Sequence, residues 1–430
     1  EVDLEEQYSP PPIGSDVRTM SYAYNLDKQL EQVLRLDGRS VTYQYTPAGQ
    51  LAEIVLPRGT IQVAYEESTG QLTSLFSPEG GTLQFSYDGH LPTQETWIGE
   101  VSGTVARTYD SSFRLESESV NGTNTVSYVY DKDSLVTAVG DLTISRDPQN
   151  GLYLGSTLGP VDETWSYNGF GEPIEHQVKV NGLVVYAVHF VRDQLGRIAS
   201  RTETIEGVTA AHSYTYDLSG RLVEVHQNGS TVSSYEYDSN NNRVAATTVA
   251  GPISAHYDVQ DRLLDYGGTA YSYTKGGELL AKTAAGQTTT YDYDVLGNLR
   301  SVTLADGTRV EYLIDARNRR IGKKIDGALV QGFLYGDQLH PVGELDGSGK
   351  LVTRFVYSNR RSSPDHMVKN GTTYRIISDH LGSPRLVIDV TTGVIAQRID
   401  YDEVGNVLLD TNPGLQPFGF AGGLYEGDTA

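Results

Sequence analysis

The chain of 430 residues contains no cysteine. This absence excludes a disulfide-stapled scaffold, a thiolate metal site and a cysteine nucleophile. The sequence also lacks an apolar run long enough for a membrane-spanning helix. The first six residues have neither the basic region nor the apolar core of a secretory signal, so we expect a mature form, a fragment or a cytosolic chain.

Basic residues are few: 33 Lys and Arg stand against 55 Asp and Glu, a formal net charge of −22. A surface this acidic repels phosphate backbones, so we expect no nucleic-acid partner. The imbalance is uneven, because residues 300–398 hold 15 Lys and Arg but 10 Asp and Glu, a net of +5 against −27 for the rest. We interpret this first as solvated surface. The alternative is a basic zone that faces either the acidic remainder or an acidic partner.

Glycine and tyrosine are abundant instead. The chain has 46 Gly and 29 Tyr, but 9 Phe and 2 Trp. This combination favours strands joined by tight turns. No stretch shows a sustained helical period, so the pattern predicts an all-β protein.

One unit recurs along nearly the whole sequence: an aromatic residue, any residue, Tyr, often Asp, a short polar stretch, usually Gly, a polar residue and an aliphatic residue. Neighbouring copies are mostly 20 to 22 residues apart, which predicts one array of about nineteen units. The repeat residues of three good copies are Tyr43, Tyr45 and Gly49; Tyr214, Tyr216, Asp217, Gly220 and Arg221; and Tyr291, Tyr293, Asp294 and Gly297.

Each unit has the properties of a β-hairpin followed by a second turn. Residues i and i+2 of a strand share a face, so the paired rings lie on one side of the sheet. Asp begins the turn by accepting a backbone N–H, and Gly closes it with a positive φ. The second turns are predicted as two-residue hairpins at Asp37-Gly38, Asn121-Gly122, Asn181-Gly182, Asn228-Gly229, Asp306-Gly307, Asp326-Gly327 and Asn370-Gly371.

About nineteen units of two strands make a ribbon roughly 180 Å long at about 4.8 Å per strand. Twist accumulates in so long a sheet, and the aliphatic positions are too sparse for a thick two-sided core. The prediction is therefore a spiralled, hollow β-sheet shell or barrel, about 55–60 Å across if it is wound as one ring.

These units resemble the YD-repeat or RHS-repeat family, which includes bacterial RHS toxin shells, the cocoon subunits of insecticidal toxin complexes and the teneurins. The resemblance extends from about residue 20 to residue 430 and is most specific near the C-terminus, where residues 378–387 resemble the family's Asp-His-Leu-Gly core segment. The core-like residues are Asp379, His380, Gly382, Arg385, Tyr401, Asp402 and Gly405.

The resemblance divides the chain into three regions. Residues 1–19, with three consecutive prolines, are predicted to be an N-terminal linker or a plug strand anchored by Tyr8 and Ile13. Residues 20–376 are the repeat array, and residues 377–430 are the core-like C-terminal segment. Bacterial members of the family continue into an autoprotease motif and a toxin, so we expect a truncated or processed form, or a shell without cargo.

Catalytic, cofactor and metal-binding motifs are absent from the sequence, so we predict no enzyme activity, no cofactor and no metal. The nine histidines form no local metal-binding cluster. His380 follows Asp379, a pair in which the carboxylate orients the imidazole. A packed, hydrogen-bonded histidine is the simpler alternative.

The family resemblance implies a non-enzymatic β-shell, secreted or at the cell surface, that encapsulates or scaffolds a polypeptide cargo such as a C-terminal toxin. The first alternative is a teneurin-like adhesion or glycan-binding ectodomain, with Trp97 and Trp165 as candidates for an outer aromatic patch. The second alternative is the processed remnant of a self-cleaving precursor. The predicted partners are an enclosed polypeptide or a cell-surface protein or glycan.

Overall fold

The computed structural model describes residues 5–13, 18–358 and 362–427. These residues form 39 β-strands and one short 3-10 helix, η1, at Phe420–Gly422. Every strand pairs antiparallel with the next strand along the chain, so the whole array is one continuous meander. The predicted all-β repeat array is confirmed.

The first thirteen strands are β1 (Glu5–Tyr8), β2 (Met20–Tyr24), β3 (Leu30–Leu34), β4 (Ser40–Tyr45), β5 (Leu51–Leu56), β6 (Gly59–Tyr65), β7 (Leu72–Ser77), β8 (Gly81–Asp88), β9 (Leu91–Ile98), β10 (Gly103–Tyr109), β11 (Leu115–Val120), β12 (Thr123–Tyr130) and β13 (Val136–Val139). The next thirteen are β14 (Leu142–Arg146), β15 (Tyr153–Leu158), β16 (Val161–Tyr167), β17 (Pro173–Val180), β18 (Leu183–Arg192), β19 (Ile198–Ile205), β20 (Val208–Tyr216), β21 (Leu222–Gln227), β22 (Ser230–Tyr237), β23 (Arg243–Thr248), β24 (Gly251–Tyr257), β25 (Leu263–Tyr266) and β26 (Thr269–Tyr273). The last thirteen are β27 (Leu279–Ala284), β28 (Gln287–Tyr293), β29 (Leu299–Thr303), β30 (Arg309–Ile314), β31 (Arg320–Ile325), β32 (Ala328–Tyr335), β33 (Pro341–Asp346), β34 (Leu351–Val356), β35 (His366–Lys369), β36 (Thr372–Ser378), β37 (Pro384–Asp389), β38 (Ile395–Tyr401) and β39 (Val407–Asp410).

The same backbone irregularity recurs from unit to unit. The second Tyr follows a β-bulge and lies opposite the first aliphatic residue of the return strand, as Tyr45 does with Leu51 and Tyr216 with Leu222. A bulge increases the local right-handed twist of a strand pair. Because successive hairpins repeat it, each one adds a similar increment and the sheet coils steadily.

The second turns are of two kinds. Five of the seven predicted pairs have positive φ at both residues, as at Asn228 and Gly229, which is the two-residue geometry expected. At Asp37-Gly38 and Asp306-Gly307 only the glycine has positive φ, and its N–H is donated to the carbonyl three residues earlier. The two-residue prediction is wrong at these two sites, which use the same longer loop as the turn after the paired aromatics.

The sheet coils back onto itself. Contacts between distant strands advance in order along the chain, from Arg18 with the carbonyl of Lys275 to Tyr235 with Glu403. We call β2–β22 the first coil and β26–β38 the second coil. Since 21 strands of the first coil face 13 strands of the second, the second coil turns with a smaller radius and lies against the concave face of the first. The predicted spiral is confirmed, and β1 and β39, the first and last described strands, do not pair with each other.

The densest core lies where the coils overlap. One apolar cluster joins Trp97 and Val105 of the first coil to Phe333 and Phe355 of the second. Five of the six residues of β33 are buried, on both faces of the strand, whereas β26 and β28 alternate between exposed and half-buried residues. The expectation that aliphatic residues are too sparse for a two-sided core therefore holds for β26–β28 and is wrong for β30–β37.

A C-terminal segment covers part of the second coil. Leu415 accepts a hydrogen bond from Lys369 Nζ through its backbone carbonyl at 2.8 Å. The ring of Phe418 meets that of Phe355 edge-on, with 5.0 Å between centroids. Glu426 then pairs with Arg320 at 2.7 Å and with Lys323 at 2.8 Å. Strands β31 to β35 are therefore covered by the first coil and by this segment.

The N-terminal segment joins the sheet through β1, which pairs with β2. Tyr8 is 56% exposed, and the carbonyl of Pro11 accepts a hydrogen bond from Gln260. Ile13 is half-buried. The assignment of residues 1–19 to a linker or plug strand stays a prediction, as do the other two boundaries.

Candidate functional site

The turn after each aromatic pair is built around its carboxylate. Asp217 Oδ1 accepts the backbone N–H groups of Ser219 and Arg221, both at 2.9 Å, and Oδ2 accepts Arg221 Nε at 2.7 Å. These bonds, led by the backbone N–H of Arg221, lower the pKa of Asp217 below its usual 3.8. Gly220 has φ +83°, a conformation that side chains other than glycine rarely adopt. Both oxygens of the Asp217 carboxylate therefore accept hydrogen bonds within the turn, and the residue stabilises the turn.

The same turn connects each unit to its neighbour. The guanidinium of Arg221 lies 4.8 Å from the ring centroid of Tyr237 in the next unit, a cation–π contact. Tyr237 in turn donates its hydroxyl to the carbonyl of Leu222 at 2.8 Å. Hydroxyl bonds of this kind also join Tyr45 to Leu30 and Tyr216 to Ile198. The second Tyr of a unit therefore ties one hairpin to the previous one.

The other predicted repeat residues lie in the same frame. Tyr43, Tyr214 and Tyr291, the first rings of their pairs, pack against small apolar clusters. Gly49 and Gly297 have φ of +80° and +87°. Asp294 accepts the turn N–H groups as Asp217 does, with Asn298 in place of the arginine, and also pairs with Arg58 at 3.0 Å.

A row of buried ion pairs, which we call the seam, joins the two coils. Each pair consists of a glutamate from the first coil and an arginine from the second, and the arginine side chains are 1–4% exposed. The pairs are Glu95–Arg319, Glu118–Arg354 at 2.9 Å, Glu163–Arg375 at 2.6 Å and Glu203–Arg385 at 2.7 Å. Charges buried in this way need a partner of opposite sign, so we expect the seam to favour this register of the coils over others.

The electrostatics of the seam favour its charged state. Burial opposes the charge on Arg375, but Glu163 and then Tyr153 outweigh it and raise the pKa of the guanidinium. Burial likewise opposes ionisation of Glu203, yet Arg385 and then Arg201 lower the pKa of that carboxyl. Arg375 and Glu203, which belong to two different pairs of the seam, therefore both remain ionised near neutral pH.

The basic zone of residues 300–398 supplies these arginines. Of the 13 Lys and Arg residues that the structure describes in this zone, eight pair with a glutamate of the first coil. The first interpretation, solvated surface, is therefore wrong for these residues, and the alternative that the zone faces the acidic remainder describes them. Sequence reasoning missed the individual pairs, although the local excess of positive charge was their signal.

The core-like residues meet at one place between the coils. Asp379 Oδ1 accepts the N–H groups of Leu381 and Ser383, both at 2.9 Å, and Gly382 between them has φ +93°. Asp402 and Gly405 form the same kind of turn after Tyr401. Arg385 binds Glu203 and, at 2.9 Å, Asp400. Asp379, His380, Arg385, Tyr401 and Asp402 all line a cavity of about 180 Å³ between these turns and the first coil.

A family model described as Teneurin YD-shell matches residues 7–430. The chain belongs to this family. Teneurin-3 of Danio rerio is 25% identical over 441 residues, which is 97% of this chain and 16% of the relative. Teneurin-1 of Homo sapiens is 25% identical over 440 residues, again 97% of this chain and 16% of the relative. The YD-shell chain thus spans about a sixth of the length of these curated relatives.

Solved structures share the fold of this YD-shell chain. A crystal structure of TcdB2-TccC3 superposes with a TM-score of 0.76 at 14% identity, covering 96% of this chain and 26% of that one. A TcdB2-TccC3-TEV structure gives a TM-score of 0.60 at 12% identity, covering 96% and 25%. The tRNA3(Ser)-specific nuclease WapA of Bacillus spizizenii is 28% identical over 195 residues, 44% of this chain and 8% of that protein.

His380 has a packed environment in the YD-shell chain. Its ring lies against Phe190, with centroids 4.9 Å apart, and Asp379 directs its bonded oxygen to the backbone of its own turn. Burial lowers the pKa of His380, an effect that Asp379 opposes and that Arg201 and Arg192 strengthen. The imidazole is therefore neutral near pH 7. The ring is packed, as the simpler alternative expected, but its Nδ1 has no hydrogen-bond partner among the described residues.

Both tryptophans are buried, Trp97 to 1% exposure and Trp165 to 6%. Trp97 donates to Asp315 at 3.4 Å, and Trp165 stacks on His176 with 3.8 Å between centroids. The prediction that they form an outer aromatic patch is wrong, because the second coil covers the face on which both lie.

The part of the chain that the structure describes contains no group of three or more His, Asp or Glu side chains arranged to hold a metal ion. Within the same residues, no helix has the length and apolar character needed to cross a membrane.

Proposed function

We propose that this chain forms the wall of a non-enzymatic YD shell that encloses or scaffolds a polypeptide cargo. One observation carries the proposal: a single 39-strand sheet overlaps itself, and buried ion pairs lock the overlap. A compact enzyme domain has no need of a sheet wound on itself, whereas a wall around a space does. The family resemblance supports a toxin as the cargo and a secreted or cell-surface location.

The absence of cysteine allows a test of the wall. Thr289 and Thr290 are neighbours on β28, but Thr289 shares the half-buried face of Tyr291 and Thr290 lies on the exposed face. We expect Thr290→Cys to react with both a small maleimide and a polymer-linked maleimide. Thr289→Cys should react with the polymer reagent at least about tenfold more slowly, because the reagent reaches it only through opening of the shell.

Urea serves as the control, since unfolding must bring both cysteines to the same reactivity. Equal rates with the polymer reagent in the folded state would show that the concave face is open to large molecules, which would contradict enclosure.

Cargo protection is tested separately with an unstructured reporter peptide appended after Ala430. We expect the reporter to resist protease until urea opens the shell. If the reporter is cleaved as fast as the same reporter on an unrelated folded protein, the chain does not enclose it, and only the scaffold role remains.

A second candidate function is binding to a cell-surface partner. The first coil carries exposed apolar side chains at five of its turns, where a soluble wall needs none, and exposed apolar residues that gather on one surface are typical of contact sites. These residues are Leu26 (73% exposed), Phe113 (74%), Phe170 (91%), Leu195 (76%) and Leu218 (109%). Family membership supports an adhesion role.

This alternative predicts saturable binding of the purified chain to cultured cells. Phe170→Ser combined with Leu218→Ser should weaken the binding about tenfold or more, because exposed anchor residues carry most of an interface's energy. The double substitution must leave the melting temperature unchanged, and undiminished binding would exclude this surface.

A further inference from the structure

Three residues that line the cavity beside the core-like segment have a buried polar atom without a hydrogen-bond partner among the described residues. The atoms are Arg201 Nε, His380 Nδ1 and Tyr401 Oη. Buried polar groups in folded proteins are nearly always hydrogen-bonded, and leaving one unpaired is costly. Three such atoms at one cavity of about 180 Å³ therefore need a partner, and a molecule bound in the cavity can supply it.

These groups come together from both coils. Arg201 on β19 lies directly between Phe190 on β18 and His212 on β20 in the strand register. His380 of the second coil packs its ring on Phe190 at 4.9 Å. The cavity exists only because the two coils overlap at this point.

Most of the charged side chains that line the cavity already have hydrogen-bond partners in the protein. The acids bind other donors: Asp379 its own turn, Asp402 its own turn and Asn406, and Glu403 the hydroxyls of Ser233 and Tyr235. Arg385 is held by Glu203 and Asp400.

Arg201 forms no hydrogen bond and no ion pair with the described residues, although it lines the cavity. The unpaired groups thus include a cation and a phenol that can both donate hydrogen bonds, so the missing partner is an acceptor that carries negative charge.

The volume of the cavity and its apolar lining residues restrict further the class of ligand that it can hold. Leu222, Tyr214 and Phe420 line the cavity beside the donors, and a cavity of about 150 Å³ is enough for a benzene ring. We propose that this cavity binds a small organic carboxylate, with Arg201 and Tyr401 donating to the carboxylate and the apolar part against Leu222, Tyr214 and Phe420. A free acid and the carboxylate end of a peptide present the same chemistry.

The test uses the whole chain and benzoate as the probe, with benzamide as the neutral molecule of the same shape. We expect benzoate to bind saturably by NMR and calorimetry, and benzamide to bind at least about tenfold more weakly because a charge-assisted bond is lost. N-acetylphenylalanine and its amide test a peptide C-terminus in the same way. Tighter binding of benzoate would identify a free acid as the ligand, and tighter binding of N-acetylphenylalanine would identify the carboxylate end of a peptide.

Three variants test the residues. Arg201→Gln should weaken benzoate binding about tenfold or more, and Tyr401→Phe about three- to tenfold. Tyr401→Phe should keep the wild-type melting temperature, since the Tyr401 hydroxyl has no partner in the protein to lose. Arg201→Gln should lower it slightly, because Arg201 helps to keep the buried Glu203 ionised. Arg309→Gln, which changes a 57% exposed arginine outside the cavity, is the control and should bind as the wild type does. Benzoate should also raise the pKa of His380 in an NMR titration, because it adds a negative charge beside the ring.

Several results would overturn the proposal. No saturation with either acid means that water alone occupies the cavity. Equal binding of benzoate and benzamide removes the need for the carboxylate. Equal binding of acetate and inorganic phosphate shows an adventitious ion only, and undiminished binding by Arg201→Gln places the site elsewhere.

Discussion

Arg354 has two kinds of partner. Its Nη2 donates to Glu118 of the first coil at 2.9 Å, and its Nη1 donates to the backbone carbonyls of Val342 and Phe355 at 2.9 and 2.7 Å. The side chain is 2% exposed. A buried pair of this kind adds little net stability compared with apolar residues, but removing one partner leaves an uncompensated buried charge. Seam residues therefore act mainly by penalising any other register of the coils.

Arg354→Met should lower the free energy of unfolding by about 2–4 kcal/mol, because the carbonyls of Val342 and Phe355 lose their donor and Glu118 keeps only Arg107, at 3.3 Å. Urea denaturation measures the change. Adding Glu118→Gln should recover part of the loss. Arg309→Gln, on an exposed ion pair, should cost less than about 1 kcal/mol. A loss for Arg354→Met no larger than that of this control would show that the seam is not a locking device.

His366 on β35 gives a pH prediction. It is 5% exposed, and burial, followed by Arg375 and Arg354, lowers its pKa from 6.5 to about 3. In the unfolded chain His366 takes up a proton near pH 6.5, whereas in the folded chain it stays neutral down to about pH 3. The free energy of unfolding therefore falls as the pH falls from 6.5 towards 3. Between about pH 7 and pH 4 the loss is about 3 kcal/mol.

Measurement of the unfolding free energy at both pH values for wild type and His366→Leu isolates this contribution. The variant should lose less stability on acidification. His256→Gln, which alters an exposed side chain, should behave as the wild type does. An identical pH dependence for His366→Leu would show that the imidazole is already protonated in the folded state.

At the scale of the element, the hairpin unit is stabilised by bonds that cross from one unit to the next. The hydroxyl of the second Tyr reaches the carbonyl that opens the previous return strand, and the turn arginine lies over the next ring. All of these contacts span fewer than about 25 residues, so the unit is a local structure. Its contribution to stability depends on where in the sheet the unit lies.

Tyr335 and Tyr237 make the same bond in different surroundings. Tyr335 donates to the carbonyl of Arg320 at 2.7 Å and is 5% exposed, whereas Tyr237 donates to Leu222 at 2.8 Å and is half-buried. Tyr335→Phe should lower the free energy of unfolding by about 1–3 kcal/mol, because it leaves a buried carbonyl without a hydrogen-bond donor. Tyr237→Phe should lower it by about 0.5–1 kcal/mol, because water can reach the carbonyl there. Urea titration of both variants checks the order, and a larger cost for Tyr237→Phe would contradict it.

At the scale of the whole molecule, stability is distributed unevenly along one sheet. Strands β30–β37 are buried against the first coil and the C-terminal segment adds cover over β31–β35, while β24–β28 have solvent on one face. Regions with few buried contacts open at lower free energy. The backbone hydrogen bonds therefore run through the whole sheet, but the amides differ from strand to strand in how well they are protected from exchange with solvent.

Hydrogen exchange followed by mass spectrometry should show this difference. Peptides from β31 to β37 should exchange at least about tenfold more slowly than peptides from β24 to β28. Uniform protection along the array would show that the coils contribute equally, and would contradict the overlap as the source of the core.

The sequence by itself determined the hairpin units, their turns and the single curled sheet, because residues within one 20- to 22-residue period carry that information. Tyr216, Asp217 and Gly220 act through neighbours that the spacing alone identifies. The two second turns predicted wrongly also differ only in local hydrogen bonding.

Only the tertiary structure decided which parts of the sheet meet. Glu203 and Arg385 are 182 positions apart and Glu118 and Arg354 are 236 apart, and nothing in either repeat specifies the other. Their meeting depends on the sum of some twenty hairpin twists, each variable by several degrees, and on the smaller radius of the second coil. The seam, the buried tryptophans and the cavity beside His380 all follow from that sum.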